Sequence, residues 1–124
     1  MSFGTAINCM DGRVQLPVID YLKKRFGVRY VDIISEPGPN LILAKQTDRN
    51  AVASILKRVE LSVLTHQSKG IAVVGHEDCA GNPGDKEQQI LHLREAVRIL
   101  GQSYWSIEIV ALWVDLKGRV EEIS

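Results

Sequence analysis

The sequence has 124 residues, which is the size of one ordinary domain. Its 15 basic and 15 acidic residues cancel, and 45% of the residues are hydrophobic. This balance argues against binding to nucleic acid or to an anionic membrane through net charge. No apolar run is long enough to cross a bilayer, and the N-terminus lacks the basic and apolar segments of a signal peptide. We therefore expect a cytoplasmic protein that forms a single domain over residues 1–124.

The first half of the chain alternates strand and helix signals. Residues 3–8 form an apolar-leaning run that predicts a short strand. Pro17 suits the first turn of a helix that ends at Gly27. Residues 30–34 are rich in β-branched side chains and predict a buried strand. An irregular segment is expected at residues 36–40, where two prolines flank a glycine.

The second half repeats this alternation. Asp48 is placed to cap a long helix whose apolar residues recur at helical spacing. Residues 71–74 form a fully apolar strand, and Asp85 begins a pattern that resembles a capping box of a further helix. Residues 107–114 predict the last strong strand. A tight turn then leads to a short strand at residues 119–123.

Apolar strands separated by helices predict an α/β fold. We expect a single domain with a central, mainly parallel sheet of four to five strands flanked by helices. Functional loops of such sheets cluster at the carboxyl ends of the strands. Cys9 follows the first strand, and His76 and Cys79 follow the third. If these strands are neighbours, about 5 Å apart, the two loops meet in space.

Cys9, His76 and Cys79 carry the thiolate and imidazole donors that zinc prefers. Three protein ligands would leave one coordination position open, which is typical of catalytic zinc. Asp11 and Arg13 are spaced to face that position from one side of an extended backbone. A bidentate ion pair between them would orient the Asp11 carboxylate. Without Arg13, Asp11 could itself become the fourth zinc ligand. The pattern predicts one Zn²⁺ per chain.

Two short motifs resemble those of a known family. C-M-D-G-R at residues 9–13 and H-E-D-C at residues 76–79 are similar to the paired C-x-D-x-R and H-x-x-C motifs of β-class carbonic anhydrases. The second strand with its loop and the closing strand and hairpin at residues 112–120 extend the resemblance.

The resemblance implies a β-carbonic-anhydrase-like fold and a zinc-dependent lyase, a carbonate dehydratase. Such an enzyme hydrates carbon dioxide reversibly to bicarbonate by zinc-bound hydroxide. Asp11 and Arg13 would then be the catalytic residues. The metal ligands would be Cys9, His76 and Cys79, with Asp11 added when the site is closed. The family also implies a homodimer or a higher homo-oligomer.

The sequence departs from that family pattern in three places. It begins almost at the first strand, without the helical arm that many members wrap around a partner subunit. Residues 35–40 are S-E-P-G-P-N where the family usually has R-N-A-G-N. Ala80 separates Cys79 from Gly81, where members usually have glycine directly. We therefore expect the metal ligands to be retained, and the dimer form and the substrate pocket to differ.

Three other functions fit the same residues. A zinc hydrolase for carbonyl sulfide or carbon disulfide would use the same scaffold and differ in pocket access. A non-catalytic zinc-binding protein would keep Asp11 as a permanent fourth ligand. A redox thiol protein would use Cys9 and Cys79 without a metal. Four other polar side chains are interpreted as solvated groups outside the ligand set: Glu77, Asp78, His66 and His92.

Overall fold

Five strands form one sheet in the order β2-β1-β3-β4-β5 in the computed structural model, which describes residues 1–124. The first four strands of that order are parallel to one another, and β5 is antiparallel to β4. This architecture confirms the predicted α/β fold, including the hairpin at the end of the chain. The strands are β1 (Phe3–Cys9), β2 (Tyr30–Glu36), β3 (Gly70–His76), β4 (Glu108–Val114) and β5 (Val120–Ile123).

Four α-helices and one short 3-10 turn connect the strands. Asp48 caps the third helix by accepting a hydrogen bond from the backbone N–H of Ala51. Asp85 caps the fourth helix through the N–H of Gln88 in the same way. Both helices therefore begin where the sequence predicts. The turn is Gly12–Val14, and the helices are α1 (Gln15–Arg25), α2 (Pro39–Lys45), α3 (Arg49–Thr65) and α4 (Lys86–Ser103).

Two predictions around the second strand were wrong. The irregular segment expected at residues 36–40 is shorter, because β2 runs to Glu36 and α2 begins at Pro39. Proline suits this helical position, where its missing N–H has no helical partner to lose. In addition, β2 is one of the two edge strands, and only Ile34 in it is buried. A run of β-branched residues thus indicates a strand but does not indicate its position in the sheet.

The sheet separates two hydrophobic clusters. Helix α1 covers one face, where Val18 and Leu22 pack against buried residues of β1, β3 and β4. Helices α2, α3 and α4 cover the other face through residues such as Leu43, Ile55 and Leu93. Because both faces are covered, β3 is buried along its whole length. None of the helices combines the length and apolarity that a membrane crossing requires.

Strands β1 and β3 are neighbours, as predicted, but they separate toward their carboxyl ends. Their paired register covers residues 5–7 against residues 71–73 and then stops. Strand β1 nevertheless continues to Cys9, and β3 continues to His76. The loops after these strands therefore meet at one edge of the sheet, with a gap between the strand ends that side chains can enter.

Candidate metal centre

The structure brings Cys9, His76 and Cys79 together at the carboxyl ends of β1 and β3. Their candidate ligand atoms lie within 4.8 Å of one another, and all three residues are buried. The two sulfur atoms are 3.8 Å apart, and both cysteines are free thiols. Two zinc–sulfur bonds of about 2.3 Å at a tetrahedral angle separate their sulfur atoms by nearly the same distance. The geometry of the pair therefore fits a zinc ion.

The imidazole of His76 has one nitrogen free to bind a metal. Its Nδ1 lies 2.9 Å from the carbonyl oxygen of Glu77. Because a carbonyl oxygen only accepts, Nδ1 carries the proton and Nε2 has the lone pair. Nε2 is buried and has no hydrogen-bond partner in the protein. An orphaned acceptor beside two thiols is the arrangement expected of a metal ligand whose other nitrogen is held by a carbonyl.

The two thiols share one hydrogen bond, which separates their acidities. The hydrogen bond from Cys79 lowers the pKa of Cys9, and the same contact raises the pKa of Cys79. The pair therefore loses its first proton more readily than a free thiol and its second less readily. A bound cation would replace that second proton. Backbone N–H groups that also stabilise thiolate charge come from Gly38, Asp11, Gly81 and Asn82.

The pKa of His76 reflects two opposing effects. Burial, the largest of them, lowers it because the charged imidazolium loses its hydration. The nearby Cys9 thiol and its negative charge, together with the hydrogen bond from Nδ1 to the Glu77 carbonyl, raise it more, so that the pKa of His76 lies above its ordinary value. A centre that attracts a proton to this histidine has the negative potential that a divalent cation also requires.

Asp11 and Arg13 form a bidentate ion pair beside the three ligands. Nε of Arg13 donates to Oδ1 of Asp11 at 3.0 Å, and a terminal guanidinium nitrogen donates to Oδ2 at 2.7 Å. The backbone N–H of Arg13 also donates to Oδ1, at 2.9 Å. These bonds hold the pKa of Asp11 well below its ordinary value. Asp11 does not belong to the group of atoms within 4.8 Å, and both of its oxygens are engaged by Arg13.

Arg13 also connects the loop after β1 to the loop after β3. Its guanidinium donates to the carbonyl oxygen of Asp78 at 3.1 Å and to the Asp78 carboxylate at 3.3 Å. Asp78 is highly exposed, as interpreted from the sequence, but it is also a partner of Arg13. The sequence carries no signal for this contact because the two residues are far apart in the chain.

Glu77, the other acidic residue between the two ligands, also has a structural partner. Its side chain accepts a hydrogen bond from the N–H of Leu116 at 3.0 Å.

The loop after β2 packs directly against the loop that carries Cys79. A Cβ atom on Gly38 would lie 2.6 Å from the carbonyl carbon of Gly81. A Cβ atom on Gly81 would lie 2.4 Å from the carbonyl carbon of Pro37. Gly38 also has a φ of +61°, a left-handed conformation that favours glycine. The two backbones can touch only because both positions are glycine, a role that sequence reasoning did not find for Gly81.

The other two histidines lie outside the metal group, as the sequence interpretation has it. His66 is 2.6 Å from a carboxylate oxygen of Asp32 through Nδ1, and its ring stacks on Phe3 at 4.0 Å between centroids. His92 is half-buried, and its Nδ1 is 3.0 Å from the side-chain nitrogen of Asn82, which donates to it. Both histidines therefore have structural partners that spacing along the sequence did not predict.

Comparisons with known proteins identify a matching family and several proteins of similar fold. A family model described as "Putative carbonic anhydrase" matches residues 1–124. A carbonic anhydrase from Streptococcus mutans superposes with a TM-score of 0.66 at 19% identity, over 97% of this chain and 80% of that one. A β-carbonic anhydrase from Sordaria macrospora, described as tetrameric, superposes with a TM-score of 0.64 at 15% identity, over 99% of this chain and 80% of that one. A β-carbonic anhydrase from Aspergillus fumigatus superposes with a TM-score of 0.65 at 12% identity, over 100% of this chain and 90% of that one. No curated protein sequence matches the chain. At these identities, the structural likenesses show a shared fold.

Proposed function

The chain belongs to the carbonic anhydrase family whose model spans its full length, and on this basis we propose that it is a zinc enzyme that hydrates carbon dioxide reversibly to bicarbonate. One Zn²⁺ per chain would be held by Cys9, His76 and Cys79. The observation that carries the proposal is the buried group of these three residues, in which Nε2 of His76 has no protein partner. Two thiolates and an imidazole are a ligand set that zinc prefers.

The roles of Asp11 and Arg13 follow from their ion pair. When bound, zinc supplies Lewis acidity toward water at this position. The low pKa of Asp11 keeps its carboxylate ionised, so that it can accept a hydrogen bond from the reacting water. Arg13 holds that carboxylate by two side-chain hydrogen bonds and anchors it to the neighbouring loop at Asp78. In this proposal Asp11 and Arg13 are the catalytic pair.

The ion pair also weighs against Asp11 as a permanent fourth ligand. Both carboxylate oxygens of Asp11 are engaged by Arg13, so zinc binding by Asp11 would compete with these bonds, whereas a hydrogen bond from water can use the remaining lone pair of Oδ2. An Arg–carboxylate pair of this bidentate kind is among the stronger polar contacts in proteins. The proposal therefore favours a coordination position open to water over a closed, non-catalytic site.

The proposal is tested by zinc content together with a carbon dioxide hydration assay on the purified protein. We expect one zinc per chain and hydration activity, with both lost in Cys79→Ala. A metal-free, disulfide-linked product would contradict the proposal and support the redox alternative. Zinc binding with turnover of carbonyl sulfide or carbon disulfide, but not of carbon dioxide, would identify the hydrolase. Zinc binding without turnover of any of these would indicate a non-catalytic zinc protein.

We further propose that the chain forms a homodimer or a higher homo-oligomer. The Sordaria macrospora relative is described as tetrameric. Strand β2 has one unpaired edge, which is a surface that proteins commonly cover. Trp105 is 84% exposed, which is unusual for so large an apolar side chain. Analytical ultracentrifugation measures the state, and a monomer at all concentrations would contradict this proposal.

A further inference from the structure

The side chain of Gln89, on helix α4, lies directly behind the candidate ligand His76. It is fully buried. Its Oε1 accepts a hydrogen bond from the backbone N–H of His76 at 3.1 Å, and its Nε2 donates to the backbone carbonyl of His76 at 2.8 Å. One carboxamide therefore pairs with both backbone polar groups of a ligand residue.

The geometry of the sheet explains why these backbone groups need a side-chain partner. The pairing of β3 with β1 ends at Val73, before His76 is reached. The pairing of β3 with β4 continues to His76 and Val114. A buried backbone group without a partner is costly, so the β1-facing side of His76 requires other hydrogen bonds. Gln89 supplies the pair that a continuing neighbour strand would otherwise make.

The remaining hydrogen-bonding positions of the carboxamide connect two further segments. Nε2 of Gln89 also donates to the carbonyl oxygen of Asn82 at 3.0 Å, and Oε1 accepts from Nδ2 of Asn40 at 3.2 Å. Nδ2 of Asn82 donates in turn to Oδ1 of Asn40 at 3.3 Å. A carboxamide has two donor hydrogens and two acceptor lone pairs, and Gln89 uses all four. The loop that carries Cys79 is thus bonded to α2 and α4 through one buried group.

Gly75 provides the space for this group. A Cβ atom at position 75 would lie 2.7 Å from Oε1 of Gln89 and 2.8 Å from Nδ2 of Asn40. Separations this short displace packed atoms, and here both atoms belong to buried residues. The absence of a side chain on the strand residue before His76 therefore allows the carboxamide to reach the His76 backbone.

We infer that Gln89 is a positioning residue for the metal centre, which holds the backbone of His76 and the loop carrying Cys79 so that their donor atoms converge. The inference rests on the proposed function because it requires zinc to bind at these residues. Partners behind metal ligands typically change metal affinity by about 10–100-fold. Gln89 acts on two of the three ligands, one directly and one through the carbonyl of Asn82.

The test is the variant Gln89→Met, which keeps a long unbranched side chain and removes all four hydrogen bonds. We expect its zinc affinity, measured by chelator competition, to fall by about 10–100-fold. The visible absorption of its cobalt(II) form should also change, because that spectrum reports ligand geometry. The matched control is Leu100→Ala, which removes buried methyl groups at the far end of the same helix. It should lower the unfolding temperature and leave zinc affinity and the cobalt spectrum unchanged.

Native zinc affinity and a native cobalt spectrum in Gln89→Met would overturn the inference. An equal loss of zinc affinity in Leu100→Ala would also overturn it, because the effect would then be one of helix stability. If Gln89→Met does not fold, Gln89→Glu replaces it, since glutamate keeps the acceptor toward His76 and loses the amide donor. Native zinc affinity in that variant would be equally contradictory. If the wild-type protein binds no zinc, the proposed function itself is contradicted. This outcome is distinguished from a failure of the Gln89 inference because it is seen without any substitution.

Discussion

The segments that follow β1 and β3 are each held by a glutamine side chain that donates hydrogen bonds to backbone carbonyl groups, and the two glutamines differ in burial. Nε2 of Gln15 donates to the carbonyl oxygens of Cys9 at 2.7 Å and Asp11 at 2.8 Å. Gln89 makes the corresponding pair of bonds to His76 at the end of β3 and to Asn82 in the loop after it, and its carboxamide is fully buried. Gln15 is only half-buried. Each loop therefore has a glutamine that bonds to a ligand residue and to a residue two or more positions beyond it.

The difference in burial indicates what each loop can tolerate. Water can replace a hydrogen bond that is lost near the surface, but a buried group left without a partner keeps its full desolvation cost. The end of β3 and the loop after it supply two ligands and depend on buried contacts, whereas the end of β1 supplies one ligand and is followed by the more accessible Asp11–Arg13 pair. We infer that the half of the site formed by His76, Cys79 and Gln89 sets the metal geometry. The more accessible half, formed by Cys9, Asp11 and Arg13, faces the reaction.

The largest expected effect is the loss of zinc when a cysteine ligand is removed, and it should differ between Cys79 and Cys9. Cys79→Ala should lose zinc completely, because the remaining ligands then come from the ends of two different strands. Cys9→Ala should retain weak zinc binding through His76 and Cys79, which lie three positions apart in the chain. Metal content after dialysis and chelator competition measures both variants. Equal loss in the two would show that the loops contribute alike and would break the comparison.

The second prediction concerns the accessible half. Asp11→Ala should keep zinc and lose about 10²–10⁴-fold of its hydration activity, the usual contribution of a positioned acid–base group. Arg13→Ala should act in the same direction, since the Asp11 carboxylate loses the side-chain bonds that orient it. The control is Asp20→Asn, an exposed carboxylate on α1. Unchanged activity in Asp11→Ala would show that this residue has no catalytic role.

The third prediction tests the close backbone contact between Gly38 and Gly81, which lies next to the loop that carries Cys79. Gly38→Ala should lower the free energy of unfolding by about 2–5 kcal/mol, from overpacking against Gly81 and from a left-handed backbone. Gly27→Ala is the matched control, because Gly27 has a φ of +63° and open space around it. It should cost only about 1–2 kcal/mol. Urea unfolding measures both, and equal losses would mean that the Gly38–Gly81 contact does not limit the substitution.

The smallest expected effect is the change in zinc affinity when Gln15 is replaced, which we compare with the change when Gln89 is replaced. Gln15→Met should reduce zinc affinity by less than the about 10–100-fold expected for Gln89→Met, because Gln15 is only half-buried and water can replace its amide group more readily. Chelator competition on the two variants in parallel gives the ratio. A loss for Gln15→Met as large as that for Gln89→Met would show that burial does not distinguish the two loops.

Much of the fold was predictable because its signals are local. Asp48 and Asp85 cap their helices through bonds to residues three positions away, and the sequence shows both partners. The turn before β5 is equally local. The edge position of β2 and the helix at Pro39 were missed, since both depend on what packs beside the segment.

The sequence by itself determined the donor set of the candidate site: two cysteines and a histidine at strand ends, with Asp11 and Arg13 at a spacing that allows a bidentate pair. Thiolate, imidazole and carboxylate chemistry belongs to the residue type, and the end of a strand is readable from local pattern. Only the tertiary structure decided how these groups are held. The bonds of Gln89 to His76, of Arg13 to Asp78 and the touching backbones at Gly38 and Gly81 join segments far apart in the chain. Spacing along the sequence carries no record of such contacts, because they form only when the sheet brings these distant segments together.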